Sequence, residues 1–334
     1  MSELRRDPIS GQWIIVAEHQ PVTVPRNNEA YPVQADLEIC PFCPGQEMKT
    51  PSEILAYAPQ PREPNAPGWS LRVIPNRIPV LQIEGDLEKQ GVGVYDRMNG
   101  IGAHEIIIET PEHEATLSTL PEKSIEDLMS AYCDRILDLR RDERFRYILI
   151  FKNHGKAAGA KLRHSHSQLI ALPVTPKRVT EEIEGAKKYY AYRDRCIYCD
   201  IVQQELNDGE RIVSENDGFL SIVPYASRYP FETWIIPKTH EPCFESGRKQ
   251  QRLELARIFS ESLQRIDNGL GNPAYNCILH TSPFGVGSNP YYHWHFEIAP
   301  RLLNVAGFES GSGFFINPTP PEKAAKHLRE AVIG

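Results

Sequence analysis

The fold is decided by the stretch Lys161-Leu162-Arg163-His164-Ser165-His166-Ser167-Gln168, which holds two histidines two residues apart. In a β-strand, residues i and i+2 point to the same face, so His164 and His166 are expected to project side by side into one pocket. Apolar segments 148–151 and 169–172 predict flanking strands, and small residues in 153–159 predict a turn whose backbone N–H groups can approach phosphate oxygens. The alternative is a chance pair of histidines on a half-buried strand.

Four of the seven cysteines form two C-x-x-C pairs, Cys40–Cys43 and Cys196–Cys199. Each pair lies upstream of one H-x-H motif, and the second motif is His293-Trp294-His295. The sequence has no N-terminal signal-like region and no apolar run that could span a bilayer, which predicts a cytoplasmic protein with reduced thiols. Under those conditions a metal site is favoured over a disulfide. A thioredoxin-like redox pair is the alternative, but it requires an attached βαβ unit and no histidine partners.

Each cysteine pair has two histidines that would complete a tetrahedral metal site. One histidine ends an apolar strand and the other opens the H-x-H motif, and this order occurs twice. Two thiolates and two neutral imidazoles suit zinc, with iron as an open alternative at the second site. A bland alternative is surface histidines beside buried free cysteines. The predicted ligands are Cys40, Cys43, His113 and His164 in the first site and Cys196, Cys199, His240 and His293 in the second.

These repeated motifs divide the chain into two halves, 1–175 and 190–334, joined by the charged segment 177–195. Apolar residues at helical spacing predict a helix in each half, before the strand that leads to the H-x-H motif. Pro321, a residue type favoured in the first turn of a helix, predicts a third helix near the end. The pattern indicates an α+β fold of two fused histidine-triad-like halves, with a mostly antiparallel sheet and flanking helices. The predicted helices cover 121–144, 249–266 and 321–331.

Charge argues against two classes of partner. The 334 residues carry a formal net charge of −7, whereas nonspecific binding to nucleic acid or to membranes requires a basic surface. Positive charge is local and suits a diphosphate, although a solvated basic turn would look the same. The basic residues that flank the first H-x-H motif are Lys152, Lys156, Lys161 and Arg163.

Several motifs together carry a family resemblance. They resemble, in order and over nearly the whole chain, the galactose-1-phosphate uridylyltransferase family, a branch of the histidine-triad superfamily. Ser165 between the histidines and the segment 306–318 are more similar to the ADP-glucose phosphorylase branch than to enzymes with proline between the histidines. The motifs are Asp7-Pro8, Gly11-Gln12-Trp13, Cys40-x-x-Cys43, Asn76, Pro111-Glu112-His113, Asn153 and His164-x-His166-x-Gln168.

The resemblance implies ping-pong nucleophilic catalysis. His166 would attack the α-phosphorus of a nucleotide sugar and hold the nucleotide covalently, while Gln168 donates to a phosphate oxygen. His164 would bind a structural metal, and the second half would be a degenerate copy in which His295 has no nucleophile role. The resemblance also implies a homodimer. The implied substrate contacts are Asn76 and Arg77 near the base, Asn153 at the phosphates and Glu309 at the sugar.

Three departures from the family leave the sugar and the base open. The arginine-containing run expected after the first strand is replaced by 16–25, and the lysine expected before Gly307 is absent. Lys161 and Arg163 stand where small hydroxyl residues are common, so both are predicted to replace the missing charge locally, with Lys161 as the substrate contact.

The leading hypothesis is uridylyl transfer from UDP-glucose to a hexose 1-phosphate, with galactose 1-phosphate as the first choice. An ADP-glucose phosphorylase, which transfers adenylyl to inorganic phosphate, is an alternative within the class, and a hydrolase of dinucleoside polyphosphates is another. From a different class, the chain could be a catalytically dead nucleotide-binding module. The expected partners are a nucleotide diphosphate sugar and a sugar 1-phosphate, without nucleic acid or membrane.

Overall fold

The computed structural model describes residues 2–17, 40–247, 250–285 and 289–333. Most of the replaced arginine run, residues 18–25, lies outside these ranges, as does Lys249 at the start of the second predicted helix. Within the described ranges, no helix combines the length and the apolar composition needed to cross a membrane.

The described residues form fourteen strands and six α-helices. The strands are β1 (Glu3–Arg6), β2 (Trp13–Val16), β3 (Leu55–Tyr57), β4 (Leu71–Pro75), β5 (Gln90–Val92), β6 (Tyr95–Asn99), β7 (Ala103–Ile108), β8 (Tyr147–His154), β9 (His166–Leu172), β10 (Ile212–Glu215), β11 (Phe219–Ile222), β12 (Thr233–Pro237), β13 (Tyr275–His280) and β14 (His295–Pro300). The helices are α1 (Glu122–Leu139), α2 (Lys177–Arg193), α3 (Ile197–Asp208), α4 (Gln251–Leu270), α5 (Gly307–Ser312) and α6 (Pro321–Glu330).

Ten strands form one sheet in the order β10-β11-β12-β14-β13-β8-β9-β7-β4-β3. All of its neighbouring strands are antiparallel. The trio β7-β9-β8 of the first half is repeated as β12-β14-β13 in the second, and the β8–β13 pair joins the two. The predicted α+β fold of two fused halves is therefore confirmed. A separate four-stranded sheet has the order β2-β1-β6-β5.

The main core lies between one face of the large sheet and the helices α1 and α4, which also pack against each other. Apolar side chains recur every three or four residues on each helix, so one stripe of each is buried. Burial of each large side chain contributes about 1.5–3 kcal/mol. Helix α4 runs four residues beyond its predicted end at Ile266 because its stop signal is Gly271, which takes φ +72°.

The opposite face of the sheet differs between the halves. In β9, Leu169 and Ala171 face the helical core, whereas His166 and Gln168 face the opposite side and line a cavity. In the second half that side is covered by α2 and α3, which bury Ala186 and Tyr198 against the sheet.

Helix α2 was not predicted, because the segment that forms it is dominated by charged residues and tyrosines. Its apolar contacts are few, but they follow helical spacing: Val179, Ile183, Ala186 and Tyr190. Prediction treated this segment as a linker, whereas the structure uses it as a cover for the second half.

Candidate active site and metal clusters

The first C-x-x-C pair lies in a turn that meets the end of β7 and the start of β9. Cys40, Cys43, His113 and His164 each offer one ligand atom, and these atoms lie within 4.8 Å of one another. The Cys43 Sγ atom is 3.3 Å from His113 Nδ1 and 3.7 Å from His164 Nδ1. A zinc tetrahedron with Zn–S of about 2.3 Å and Zn–N of about 2.0 Å has S···N edges of about 3.5 Å. The four residues therefore fit a tetrahedral metal ion.

The imidazole of His164 is held for ligation through its Nδ1 atom. Its Nε2 atom lies 2.7 Å from the carbonyl oxygen of Thr110, and a carbonyl can only accept, so Nε2 carries the hydrogen. Nδ1 is then free of hydrogen and faces the cysteines. Such a backbone partner on the outer nitrogen is typical of metal-binding histidines.

The second C-x-x-C pair forms a similar cluster around the start of α3. The ligand atoms of Cys196, Cys199, His240 and His293 also lie within 4.8 Å of one another. Cys199 Sγ is 3.5 Å from His240 Nδ1 and 3.7 Å from His293 Nδ1, distances that are again close to the S···N edge of a zinc tetrahedron. Both groups of residues predicted from the sequence are thus brought together in a form that could hold a metal ion.

His166 opens strand β9, and His164 lies just before the strand rather than in it. The prediction that one strand aligns both histidines is therefore wrong in this detail, because the bend before His166 turns His164 towards the cysteines. The Nδ1 atom of His166 lies 2.7 Å from the carbonyl oxygen of His164 and must donate to it. The lone pair of His166 is consequently on Nε2.

Burial, followed by the positive charge of Lys152, lowers the pKa of His166 below its ordinary value. A neutral imidazole is the nucleophilic form. The ring also packs edge-on against Phe42, with centroids 5.4 Å apart. Position, tautomer and charge state all leave Nε2 available as a nucleophile.

His166 lies between two cavities. The larger one has a volume of about 500 Å³ and the smaller about 290 Å³. Asn153 also lines both of them. The predicted residues Asn76, Arg77, Lys161 and Gln168 line the larger cavity together with Phe42 and His104.

His104 is a site residue that sequence reasoning missed. Its Nδ1 atom accepts from the backbone N–H of Val80, so Nε2 carries the hydrogen and donates to Gln168 Oε1 at 2.9 Å. Asn76 Nδ2 lies 3.0 Å from the same Nε2 atom, so His104 contacts two predicted site residues. The available signal was a polar side chain close to a run of apolar residues in strand β7, where Ile106, Ile107 and Ile108 are all buried.

Asn153 and the turn after it form one wall of the site. Strand β8 continues through Asn153 to His154, two residues into the predicted turn, and a short 3₁₀ turn follows over Lys156–Ala158. Gly155 and Gly159 have φ of +76° and +87°, a backbone region that favours glycine. The turn therefore forms where predicted, and it bends back beside Asn153.

A buried polar network behind His166 was also missed. Lys152 Nζ donates to Glu109 Oε2 at 2.6 Å, to Ser165 Oγ at 3.0 Å and to the carbonyl oxygen of His166 at 3.2 Å. Ser165 and Ser167, on either side of the histidine, both donate to the Glu109 carboxylate. Burial alone would raise the pKa of Glu109, but Lys152 and the two hydroxyls lower it.

The assignment of Lys152 to a diphosphate is therefore wrong, because its charge is already paired in the interior. Lys161 lines the larger cavity, and Arg163 forms an exposed ion pair of 2.6 Å with Glu114. The sequence could not separate these lysines, since burial of Lys152 depends on Glu109, 43 residues earlier.

Glu309 lies on the short helix α5. Its carboxylate accepts hydrogen bonds from the backbone N–H groups of Ala306 at 2.7 Å and Ile316 at 3.2 Å. Glu309 is not among the described residues that line either cavity beside His166. The predicted sugar contact is thus not formed within this one chain as described.

In the second H-x-H motif, the ring of His295 is enclosed by other ring side chains. His295 stacks on His280 with ring centroids 4.7 Å apart, and Tyr198 and Trp234 pack against the same ring at 5.5 Å and 4.7 Å. Glu297 stands where the first half has Gln168, and Arg178 of α2 donates to it at 2.8 Å.

Comparison with known proteins agrees with this arrangement. The family model for the N-terminal domain of galactose-1-phosphate uridyl transferase matches residues 1–176, and the model for its C-terminal domain matches residues 182–330. The ADP-glucose phosphorylase of Arabidopsis thaliana is 36% identical, with 99% of this chain and 93% of the relative covered. The galactose-1-phosphate uridylyltransferase of Thermotoga maritima is 30% identical, with coverage of 100% and 99%.

The similarity extends to solved structures. The crystal structure of the ADP-glucose phosphorylase from Arabidopsis thaliana with bound ADP-glucose superposes with a TM-score of 0.79 at 34% identity and covers all of both chains. With matches over both halves and relatives of this identity, the chain belongs to the galactose-1-phosphate uridylyltransferase family.

Proposed function

We propose that this protein is a nucleotidyltransferase that moves UMP from UDP-glucose to a hexose 1-phosphate, galactose 1-phosphate in the first instance, through a covalent His166 intermediate. The observation that carries the proposal is the state of His166. Its Nδ1–H is tied to the carbonyl oxygen of His164, so Nε2 presents a lone pair between two cavities. The Thermotoga maritima relative, which carries the uridylyltransferase name, matches the chain over its whole length.

In the first step, Nε2 of His166 forms a bond to the α-phosphorus of the nucleotide sugar. The bond from that phosphorus to the bridging oxygen breaks, and sugar 1-phosphate leaves with the electron pair. In the second step, a phosphate oxygen of the acceptor attacks the same phosphorus and the P–N bond breaks, which returns a neutral histidine. The enzyme contributes mainly position and charge stabilisation.

The surrounding residues have separate roles in this proposal. Gln168 and Asn153 donate amide N–H groups to the phosphate oxygens, and Lys161 supplies positive charge at the same place. Asn76 and Arg77, which also line the larger cavity, contact the nucleoside. A diphosphate is thereby flanked by donors on the side that faces His166.

We propose zinc at both Cys/His clusters, with a structural role. The metal chemistry would be that of a closed four-ligand site, which has no open position for substrate. In the first cluster the metal would fix His164, whose carbonyl oxygen sets the tautomer of His166. The thiolate ligands require reduced cysteines. We therefore propose a cytoplasmic location together with the zinc sites.

We also propose that the protein works as a homodimer in which a second copy completes the sugar site. The segment around Glu309 exposes several apolar side chains, whose burial against a second copy would be favourable. Glu309 itself does not line either cavity beside His166 in its own chain. We propose in addition that residues 1–175 and 190–334 are the two functional units, the first carrying the catalytic histidine and the second a degenerate copy. The exposed apolar residues are Leu302, Leu303, Val305, Phe308, Phe314, Phe315 and Ile316.

A second candidate is ADP-glucose phosphorolysis, in which inorganic phosphate accepts the adenylyl group. Two observations favour it. The 36% identical relative is named an ADP-glucose phosphorylase, and Ser165 is fixed by Glu109 rather than being a proline. The histidine chemistry is the same in both candidates, and only the base and the acceptor differ.

The test is intact-mass spectrometry of the protein after incubation with UDP-glucose or with ADP-glucose in the absence of acceptor. An acid-labile UMP-sized adduct, absent from His166→Ala, supports uridylyl transfer, and an AMP-sized adduct supports the phosphorylase. Absence of both adducts from a protein that still binds the nucleotides would favour the dead binding module.

A further inference from the structure

The second half contacts the turn that follows Asn153 in the first half. The contact lies along the paired strands β8 and β13, which we call the seam. The strand register pairs Asn276 with Asn153 and Tyr275 with His154, and the last two rings are stacked at 4.8 Å. A Cβ atom on Gly155 would lie 2.8 Å from the Cβ atom of Ala274. The turn that follows Asn153 is therefore seated directly on β13.

The hydrogen bonds of Asn276 fix the orientation of its side-chain amide. Arg301 donates through Nε to the Asn276 Oδ1 atom, and a guanidinium can only donate. The atom that faces Arg301 must then be the amide oxygen, and the Asn276 nitrogen must face the other way. That nitrogen donates to Asn153 Oδ1 at 2.7 Å and to the carbonyl oxygen of Ala158 at 2.9 Å.

The same logic fixes Asn153. Because its Oδ1 atom accepts from Asn276, its Nδ2 hydrogens point away from the seam. The Nδ2 atom lies 3.8 Å from the position that a Cβ on Gly159 would take, and both residues line the larger cavity beside His166. Arg301 itself is held over the ring of Tyr229, 4.5 Å from its centroid, so the chain of donors begins at a fixed cation.

We propose that Asn276 and Arg301 of the second half are positioning residues that set the Asn153 amide as a phosphate donor. The inference rests on the proposed function, in which Asn153 contacts the nucleotide phosphates. Arg301 orients Asn276, Asn276 orients Asn153 and holds the turn at Ala158, and Asn153 presents N–H to the diphosphate. The half without a nucleophile thereby takes part in substrate binding by the other half.

The first experiment is calorimetric titration of wild type and variants with UDP and ADP as diphosphate probes and with uridine and adenosine as phosphate-free controls. Asn276→Ala should weaken the preferred diphosphate about tenfold, and Asn276→Asp about hundredfold, since losing an orienting bond costs less than reversing the donor. Nucleoside affinity should not change. If Asn276 acted only through packing, Asn276→Ala would weaken diphosphate binding more than Asn276→Asp does, because aspartate keeps the size of asparagine.

A double-mutant cycle separates orientation from the added charge of the aspartate. If Asn276→Asp acts through the Asn153 amide, it should have little further effect on diphosphate affinity in an Asn153→Ala background. An undiminished effect in that background would contradict the proposal. Arg301→Gln, which retains a donor, should bind diphosphate nearly as wild type does, whereas Arg301→Met should resemble Asn276→Ala.

The matched control is Asn216→Asp. Asn216 is another second-half asparagine whose amide both donates and accepts: it donates to the carbonyl oxygen of Glu254 at 2.8 Å and accepts from the N–H of Phe219 at 2.9 Å. It should leave diphosphate affinity unchanged. Unchanged affinity in Asn276→Asp would overturn this inference while leaving the covalent mechanism standing.

The two proposals fail in different ways. A wild-type protein that binds diphosphate but forms no adduct would refute the covalent mechanism, and the Asn276 series would still decide the positioning role. A wild-type protein that binds neither diphosphate would refute both.

Discussion

The two halves place an H-x-H motif at the same point of the same strand trio, yet one motif borders a cavity and the other is enclosed. Around His166 the sheet face is open, with an aromatic ring at one edge and amides beside it. Around His295 the equivalent space holds Tyr198, Trp234 and a cover helix, α2. The backbone arrangement is therefore not what makes a nucleophile. What differs is whether the space in front of the ring is left for a substrate.

The partners of the two motifs differ in charge as well. In the first half, Gln168 follows His166 by two residues and Asn153 lies beside the turn, so neutral amides face the cavity. In the second half the corresponding place after His295 is taken by Glu297, which is bound to Arg178 and Arg228. Carboxylates would repel a diphosphate, whereas amides can donate to it.

The sharpest test of this difference is removal of each histidine in turn. His166→Ala should lower the rate of adduct formation by about 10⁴-fold or more, since no other group replaces the nucleophile. His295→Ala is the matched control and should retain a rate close to that of wild type. Single-turnover mass spectrometry measures both. Loss of the adduct in His295→Ala, with the protein still folded, would show that the second motif is not degenerate.

The metal clusters offer a second way to compare the halves. Cys43→Ser and Cys199→Ser should each lose one metal equivalent and several kcal/mol of stability, because binding energy at such a site is folding energy. Only Cys43→Ser should also slow adduct formation, because His164 of that cluster holds the nucleophile in place. Elemental analysis, thermal denaturation and the adduct rate check the three parts. Equal activity losses in both variants would refute an active-site-specific role for the first cluster.

The network behind His166 has its own matched control in the same strand region. Glu109→Gln and Glu105→Gln each break a buried ion pair, with Lys152 and with Arg135 respectively, and each should cost about 3–5 kcal/mol of unfolding free energy. Only Glu109 contacts the serines that flank His166. Chemical denaturation should therefore show similar losses, while the adduct rate should fall in Glu109→Gln alone. A similar fall in Glu105→Gln would mean that general destabilisation is responsible.

The smallest expected effect concerns the pH dependence of the second half. Burial alone would lower the pKa of His280, but Glu182 and Glu297 outweigh it and raise the pKa from 6.5 to about 9. A raised pKa in the folded state stabilises fully below pH 6.5, and the contribution is lost as the pH rises through about 9. The free energy of unfolding should thus fall more steeply over this range in wild type than in His280→Asn. Parallel curves from denaturant titrations would contradict the ion-paired arrangement.

Local patterns predicted most of the fold because the signals were periodic or repeated. The helices that became α1 and α4 follow apolar spacing, and α6 was predicted from Pro321 in its first turn. The metal ligands were found because the same order of cysteines and histidines occurs twice. Helix α2 was not predicted because its few apolar residues are scattered among charged ones. Its stability comes from contacts with the second half, which its own sequence does not reveal.

The site was predictable where a residue type has one chemical use and not where its use depends on a distant partner. Cysteine and histidine at metal-ligand spacing fall in the first class. Lys152, which pairs with Glu109, and His104, which donates to Gln168, fall in the second. No local pattern tells a buried lysine from a phosphate-binding one, because both stand among small and basic residues.

The continuity of the ten-stranded sheet bears on how the gene product can be divided. Strand β8 is bonded to β9 on one side and to β13 on the other, so the junction between the halves is a row of backbone hydrogen bonds and not a flexible tether. A fragment cut in the 177–195 segment would expose a long, largely apolar strand edge, which invites self-association. Recombinant halves should therefore be recovered only when expressed together, as complementing fragments.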